Sequence, residues 1–113
     1  MPVDPTLVNW DACALEKITE MVSRRVCVDR ATASTIVQTQ LRKGALVPQH
    51  AHVGEQVIQV TQGSIAVTVS GRTVTLRVGE SLTVPAGVPH QLEAMDDSIV
   101  VDVRSNAGPE GHT

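Results

Sequence analysis

The sequence predicts an all-β chain folded as an antiparallel sandwich or barrel, and three observations predict it. Short runs rich in Val, Ile and Thr recur at eight-to-twelve-residue spacing, with Gly, Pro and Asp between them. The hydrophobic content of 42% is aliphatic, with no Phe, no Tyr and Trp10 as the single Trp. A core of β-branched side chains packs best on pleated strands. Residues 64–70 and 72–77, hinged near Ser70-Gly71, form the clearest hairpin. A length of 113 residues makes this one domain.

In chain order, residues 1–14 hold two prolines and little pattern, and read as an arm. Residues 15–22 suit either two helical turns or a short strand. Residues 24–30 read as a strand with charged ends. In residues 33–42, Ile36, Gln38 and Gln40 alternate against Val37, Thr39 and Leu41, the two-residue period of a second strand. Further strands are predicted over 56–61, 81–84, 90–94 and 98–103, and residues 107–111 read as a free tail with His112 in solvent. The expected division is an N-terminal arm over 1–23, a barrel over 24–104 and a flexible tail over 105–113. A disulfide between Cys13 and Cys27 is one reading, but a chain of this length folds without staples and Cys27 lies between two valines, so both are expected as structural thiols, with Cys27 buried and inert.

Composition removes several classes of function. A formal charge of −3 leaves no basic footprint for nucleic acid. No apolar run approaches the ~18 residues of a membrane span. The scarcity of aromatics removes stacking platforms for bases and sugar faces. Residues 1–5 carry neither a basic side chain nor an apolar core, so a cytoplasmic location is expected.

Chemistry concentrates in two stretches, 44–56 and 85–90, which hold three of the four histidines. His50 and His52 stand two apart, so an extended strand sends both rings to one face with Cα atoms ~6.6 Å apart. Neutral imidazoles close around one cation with bonds of about 2.1 Å. His90 follows a rigid Pro85–Pro89 loop in the second stretch. The plainer alternative is that the glycines only make turns and the histidines only fill a core.

The spacing Gly44-x5-His50-x-His52-x3-Gln56-x6-Gly63 resembles the first motif of the cupin superfamily, and Gly79-x5-Pro85-x-Gly87-x2-His90 resembles the second. The resemblance implies a cupin double-stranded β-helix, a jelly-roll barrel with an N-terminal arm, of the small single-domain RmlC-like type. It implies one divalent ion, Zn, Ni, Fe or Mn, held by His50, His52, Gln56 and His90. Gln56 stands where the superfamily usually has glutamate. Its neighbour Glu55 becomes the ligand only after a one-residue slip, which would reverse the faces of the following strand. Ala94 replaces a frequent asparagine, as a packing residue.

The run His-x-His-x-x-Glu-Gln is similar to that of pectin-degradation cupins acting on unsaturated uronates. That likeness implies a catalytic role for Asp102 on the last strand, whose plainer reading is a strand-end carboxylate in a salt bridge. It also implies substrate binding by Arg104, which stands where those cupins have an aromatic; Gly108 stands where they have an arginine. A neutral ligand set leaves the ion its full charge, which suits Lewis-acid chemistry of isomerase or lyase type on a small anionic keto, enol or hydroxy acid. The alternatives are an iron- or manganese-dependent dioxygenase and a non-catalytic small-molecule sensor. The strands at 24–30 and 33–42 are the expected exposed edges, pairing into a homodimer with Trp10 buried by the docked arm.

Overall fold

The computed structural model describes residues 7–29 and 34–105. His112 and the 106–113 part of the expected tail lie outside the described residues. Ten strands form two antiparallel sheets. One sheet has the order β1-β2-β3-β10-β5-β8, made from Glu16–Lys17, Val22–Asp29, Ser34–Leu41, Ser98–Ser105, Gln56–Gln62 and Ser81–Val84. The other has the order β4-β9-β6-β7, made from Leu46–His50, His90–Ala94, Ser64–Val69 and Arg72–Arg77. This is the jelly roll. Helix is limited, among the described residues, to a 3-10 turn at Trp10–Ala12, capped by the side chain of Asn9.

The two-residue period sorts the side chains. Ile58 and Val60 of β5 face Ile65 and Val67 of β6, all nearly sealed from water, and each such burial contributes about 1.5–3 kcal/mol. The hairpin β6–β7 pairs Val69 with Arg72 around Ser70-Gly71, as the sequence predicts. At the β5–β6 turn, Gly63 holds φ +79°, and a Cβ there would meet the Asp97 carbonyl and Ser98. Only glycine fits that approach.

One row on the inner face of the large sheet runs Val26, Val37, Asp102, Ile58, and the next places Thr35 beside Arg104 and Arg104 beside Gln56. The polar row caps the apolar one. Three polar side chains therefore enter the barrel on strands otherwise filled with Val and Ile.

Several expectations change. The undecided segment after Leu15 contains a two-residue strand, β1, paired with Ser23 and Arg24 of β2. β2 begins at Val22, inside the expected arm, and β10 continues to Ser105. β3 is no edge: it lies between β2 and β10 over its whole length.

The cysteines are not separate thiols: Cys13 and Cys27 form a disulfide. Alternation explains it. With Val22 and Arg24 facing inward, Arg25 and Cys27 point to the outer face, where the arm crosses. Arg25 fastens the arm there by donating to the carbonyls of Trp10 at 3.1 Å and Cys13 at 2.5 Å. Trp10 is half-buried in the same outer cleft, beside Gln38, Gln40 and Ile99 of its own chain.

Candidate metal centre

His50 ends β4 and His90 opens β9, and the two are register partners across the sheet. His52 is not on a strand, as the two-apart argument assumed; β4 stops at His50, and residues 51–55 form a loop. The loop is held from the other motif, because the Gly87 N–H donates to the His52 carbonyl at 2.7 Å. Gly87 has φ +75°, which turns its amide toward that carbonyl at no steric cost. The result is a compact cluster. Ring centroids are 4.8 Å apart for His50 and His52, 4.3 Å for His50 and His90, and 5.5 Å for His52 and His90. One ligand nitrogen from each ring lies within 4.8 Å of the others, so the three form a group able to hold a metal ion.

Which nitrogen is offered follows from the partners of the other. The His50 Nδ1 lies 2.8 Å from the Pro48 carbonyl and the His90 Nδ1 lies 3.0 Å from the Val88 carbonyl. A carbonyl only accepts, so each Nδ1 carries the proton and each Nε2 keeps its lone pair. The Nε2 atoms of His52 and His90 are buried without a partner, and so is Oε1 of Gln56. Three buried polar atoms without a partner are costly unless something fills the gap. The donor set fits a divalent cation.

Gln56 is buried at 2% exposure while Glu55 is exposed, which favours Gln56 over its neighbour as the inward group. Its orientation is set by Asp102. The carboxylate accepts the Gln56 Nε2–H at 3.0 Å, so the amide oxygen faces the other way. Asp102 in turn takes Arg104 in a fork, from Nε at 2.9 Å and Nη2 at 3.1 Å. This near-buried pair satisfies the carboxylate. The strand-end salt bridge expected as the plainer role of Asp102 is therefore present, together with the contact to Gln56.

The electrostatics favour the neutral form of His52 and His90. Burial first, then the Arg104 charge and the other two rings, push His52 down to about 4. Burial also lowers His90, with the Val88 carbonyl and Asp102 opposing it and His50 and Arg104 adding to it. Neutral rings are the ligating form.

A crevice of about 370 Å³ leads away from the cluster, between β2–β3 and β4, and meets Arg104, His50 and His52 at its inner end. A smaller hollow of about 50 Å³ continues to Gln56 and Asp102. Arg24 also lines the crevice, and sequence reading missed it. A signal existed: Arg24 alternates with Val22 and Val26, so it occupies the inward phase of its strand.

A β sandwich carrying a three-histidine cluster at the end of its barrel describes a class of metal-site proteins. The cupin domain model matches residues 37–103, and the chain belongs to the cupin family. Among solved structures, it is similar to an RmlC-like cupin from Shewanella frigidimarina, with 26% identity, coverage of 95% of this chain and 96% of that one, and a TM-score of 0.81. KdgF from Halomonas sp. is similar at 23% identity, covering 85% and 90%, with a TM-score of 0.77. The salicylate 1,2-dioxygenase of Pseudaminobacter salicylatoxidans shares the fold at 23% identity over 80% of this chain and 28% of that one, with a TM-score of 0.73. No curated protein matches the chain.

Proposed function

We propose that His50, His52, Gln56 and His90 bind one divalent ion, Zn, Ni, Fe or Mn, and that the chain is a Lewis-acid enzyme of isomerase or lyase type. Its substrate is a small anionic keto, enol or hydroxy acid. The observation that carries this reading is the buried, unpartnered Gln56 Oε1, turned away from Asp102, alongside the unpartnered Nε2 atoms of His52 and His90. Three imidazoles and an amide add no negative charge, so the ion would retain its full +2 to polarise a substrate oxygen and acidify bound water.

The chain's own residues have separable parts in this reading. Asp102 orients the amide and is itself held in place by Arg104. Arg104 faces the crevice with His50 and His52, so it meets the substrate's carboxylate as the anion enters. The pectin-degradation likeness supports this class of substrate through the ligand set, while Arg104 in place of an aromatic makes a different substrate of the same class the better expectation. The dioxygenase alternative rests on a shared fold, and the neutral ligand set favours it less. A cytoplasmic location belongs to the same proposal, and the Cys13–Cys27 disulfide is the observation that weighs against it.

A homodimer is also part of the proposal. The row Ile36, Val103, Val57 lies on the outer face of the large sheet, with Val103 exposed. An apolar row on a face that the arm only partly crosses suits a second copy. Light scattering at micromolar concentration should give twice the chain mass.

The test of the catalytic reading is elemental analysis of the purified protein, followed by oxygen uptake and loss of an unsaturated chromophore with candidate acids. Chromophore loss without oxygen uptake is the expected result. Oxygen uptake with iron bound would replace this reading with the oxidative one.

A further inference from the structure

The crevice has cations at two stations and apolar walls between them. Val22 and Val37 form its floor on the large sheet, Leu46 and Val47 its wall on β4, and Ile18 its outer lip. Thr19 and Thr39 add hydroxyls, and no acidic residue among the described residues lines this crevice. Arg104 marks one station, beside His50 and His52. Arg24 marks the other.

The register separates the two stations. Arg24 is opposite Thr39 of β3, and Thr39 is opposite Val100 of β10, four residues before Arg104. Their Cα atoms therefore lie ~13 Å apart along the strands and ~10 Å apart across them. Two guanidinium groups on such anchors do not act as one clamp on one carboxylate. They suit two anionic groups on one molecule.

The two arginines are also held differently. Arg104 is forked onto Asp102, with the pair 25% and 10% exposed. Among the described residues, Arg24 is held by Nε to the Glu16 Oε1 at 3.0 Å, with the two side chains 41% and 59% exposed. An ion pair so open to water has small net worth and exchanges readily for another carboxylate. Glu16 is an internal stand-in for such a group, since its carboxylate already occupies the guanidinium at the crevice's side.

We propose that this crevice binds an aliphatic dicarboxylate. One carboxylate sits at the histidine–glutamine centre beside Arg104, the hydrocarbon spacer lies along Val22, Val37, Leu46 and Val47, and the second carboxylate displaces Glu16 from Arg24. The inference rests on the proposed metal-centre reading for its first station and is independent of it for the second. It makes Arg24 a specificity-determining residue. It also disfavours polyhydroxylated acids, whose hydroxyls would lose water against an aliphatic wall with few partners.

The experiment is calorimetric titration of the metal-loaded protein with a dicarboxylate series from succinate to sebacate, and with the monocarboxylate of matching length for each. At least one dicarboxylate should bind about tenfold more tightly than its monocarboxylate. Arg24→Met should remove that advantage and leave monocarboxylate affinity and metal content unchanged. Glu16→Gln, which removes the competing carboxylate, should tighten the dicarboxylate several-fold. A full series in which Arg24→Met makes no difference, or in which no member binds, overturns the inference. The titrations are repeated on metal-free protein to separate the two readings. Failure to retain metal defeats the metal-centre reading alone, whereas an Arg24-dependent preference that persists without metal still supports the second station.

Discussion

Gln56 donates its Nε2–H to Asp102 across 3.0 Å, and this one hydrogen bond turns the buried amide oxygen away from Asp102 and leaves it without a partner. Arg104 in turn donates to both oxygens of Asp102. Arg104 and Asp102 thus form a relay that orients the Gln56 amide, the proposed ligand, without supplying a metal donor themselves. Partners of this kind typically account for 10–100-fold in metal affinity.

The relay makes Gln56→Glu an informative variant. A glutamate there would place two carboxylates about 3 Å apart, and such a pair holds one proton between them near neutral pH. Gln56→Glu alone should therefore weaken zinc binding, although it adds a charged oxygen. Adding Asp102→Asn supplies an amide donor to the new carboxylate and should restore affinity, with a coupling of about 1–3 kcal/mol across the double-mutant cycle. Additive effects of the two substitutions would show that the relay does not operate. Where turnover can be measured with the same metal loaded, the restored double variant should be about tenfold slower than wild type, because the added charge weakens the Lewis acid.

Removing one imidazole tests the cluster directly. His52 is on a loop that the Gly87 amide holds through its backbone, so His52→Ala leaves that bond intact. The variant should keep its far-ultraviolet circular dichroism and its melting midpoint within a few degrees. It should lose most of its bound metal by elemental analysis, and full metal content would remove His52 from the site.

Stability of the metal-free protein should depend on pH in a defined window. His52 has a folded value of about 4 against an ordinary 6.5. The unfolded chain therefore binds more protons between these values, so unfolding free energy falls as pH drops from about 6.5 towards 4 and levels off below. His90 is lowered as well and adds to the same slope. Urea titrations at several pH values on metal-free wild type and on His52→Ala should show a shallower slope in the variant. An unchanged slope would assign the acid sensitivity elsewhere.

The disulfide should contribute measurably to stability. Cys13 and Cys27 are separated by 14 residues, and closing a loop of that size restricts the unfolded chain by about 3 kcal/mol in the chain-entropy account. Reduction, or replacement of both cysteines by serine, should lower the denaturation midpoint accordingly. Coincident urea curves with and without reductant would mean that the arm is held by Arg25 and the sheet face alone.

Much of the fold was legible because period-two alternation and glycine turns are local properties. Ile58, Val60, Ile65 and Val67 are where their spacing puts them, and Ser70-Gly71 turns the hairpin it predicts. What local pattern cannot carry is neighbourhood. The pairing of β3 with β10 joins residues some sixty positions apart, and nothing in 33–42 distinguishes a central strand from an edge. Cys27 looked like a core thiol for the same reason: its valine neighbours describe a strand, while the face it occupies depends on what Val22 and Arg24 do inside the barrel.

By itself, then, the sequence determined the all-β class and the turns, and it picked out the candidate donors His50, His52, Gln56 and His90, because each is a matter of residue type at fixed spacing. Tertiary structure alone decided how those donors are presented. Gly87 fixes the His52 loop from the other motif, and the Asp102–Arg104 pair turns the Gln56 amide. It also placed Arg24 in the crevice and joined Cys13 to Cys27. The physical reason is the range of the interactions. Alternation and turn geometry act between residues a few bonds apart, whereas a hydrogen bond or ion pair that orients a ligand joins strands that meet only after the two sheets have packed.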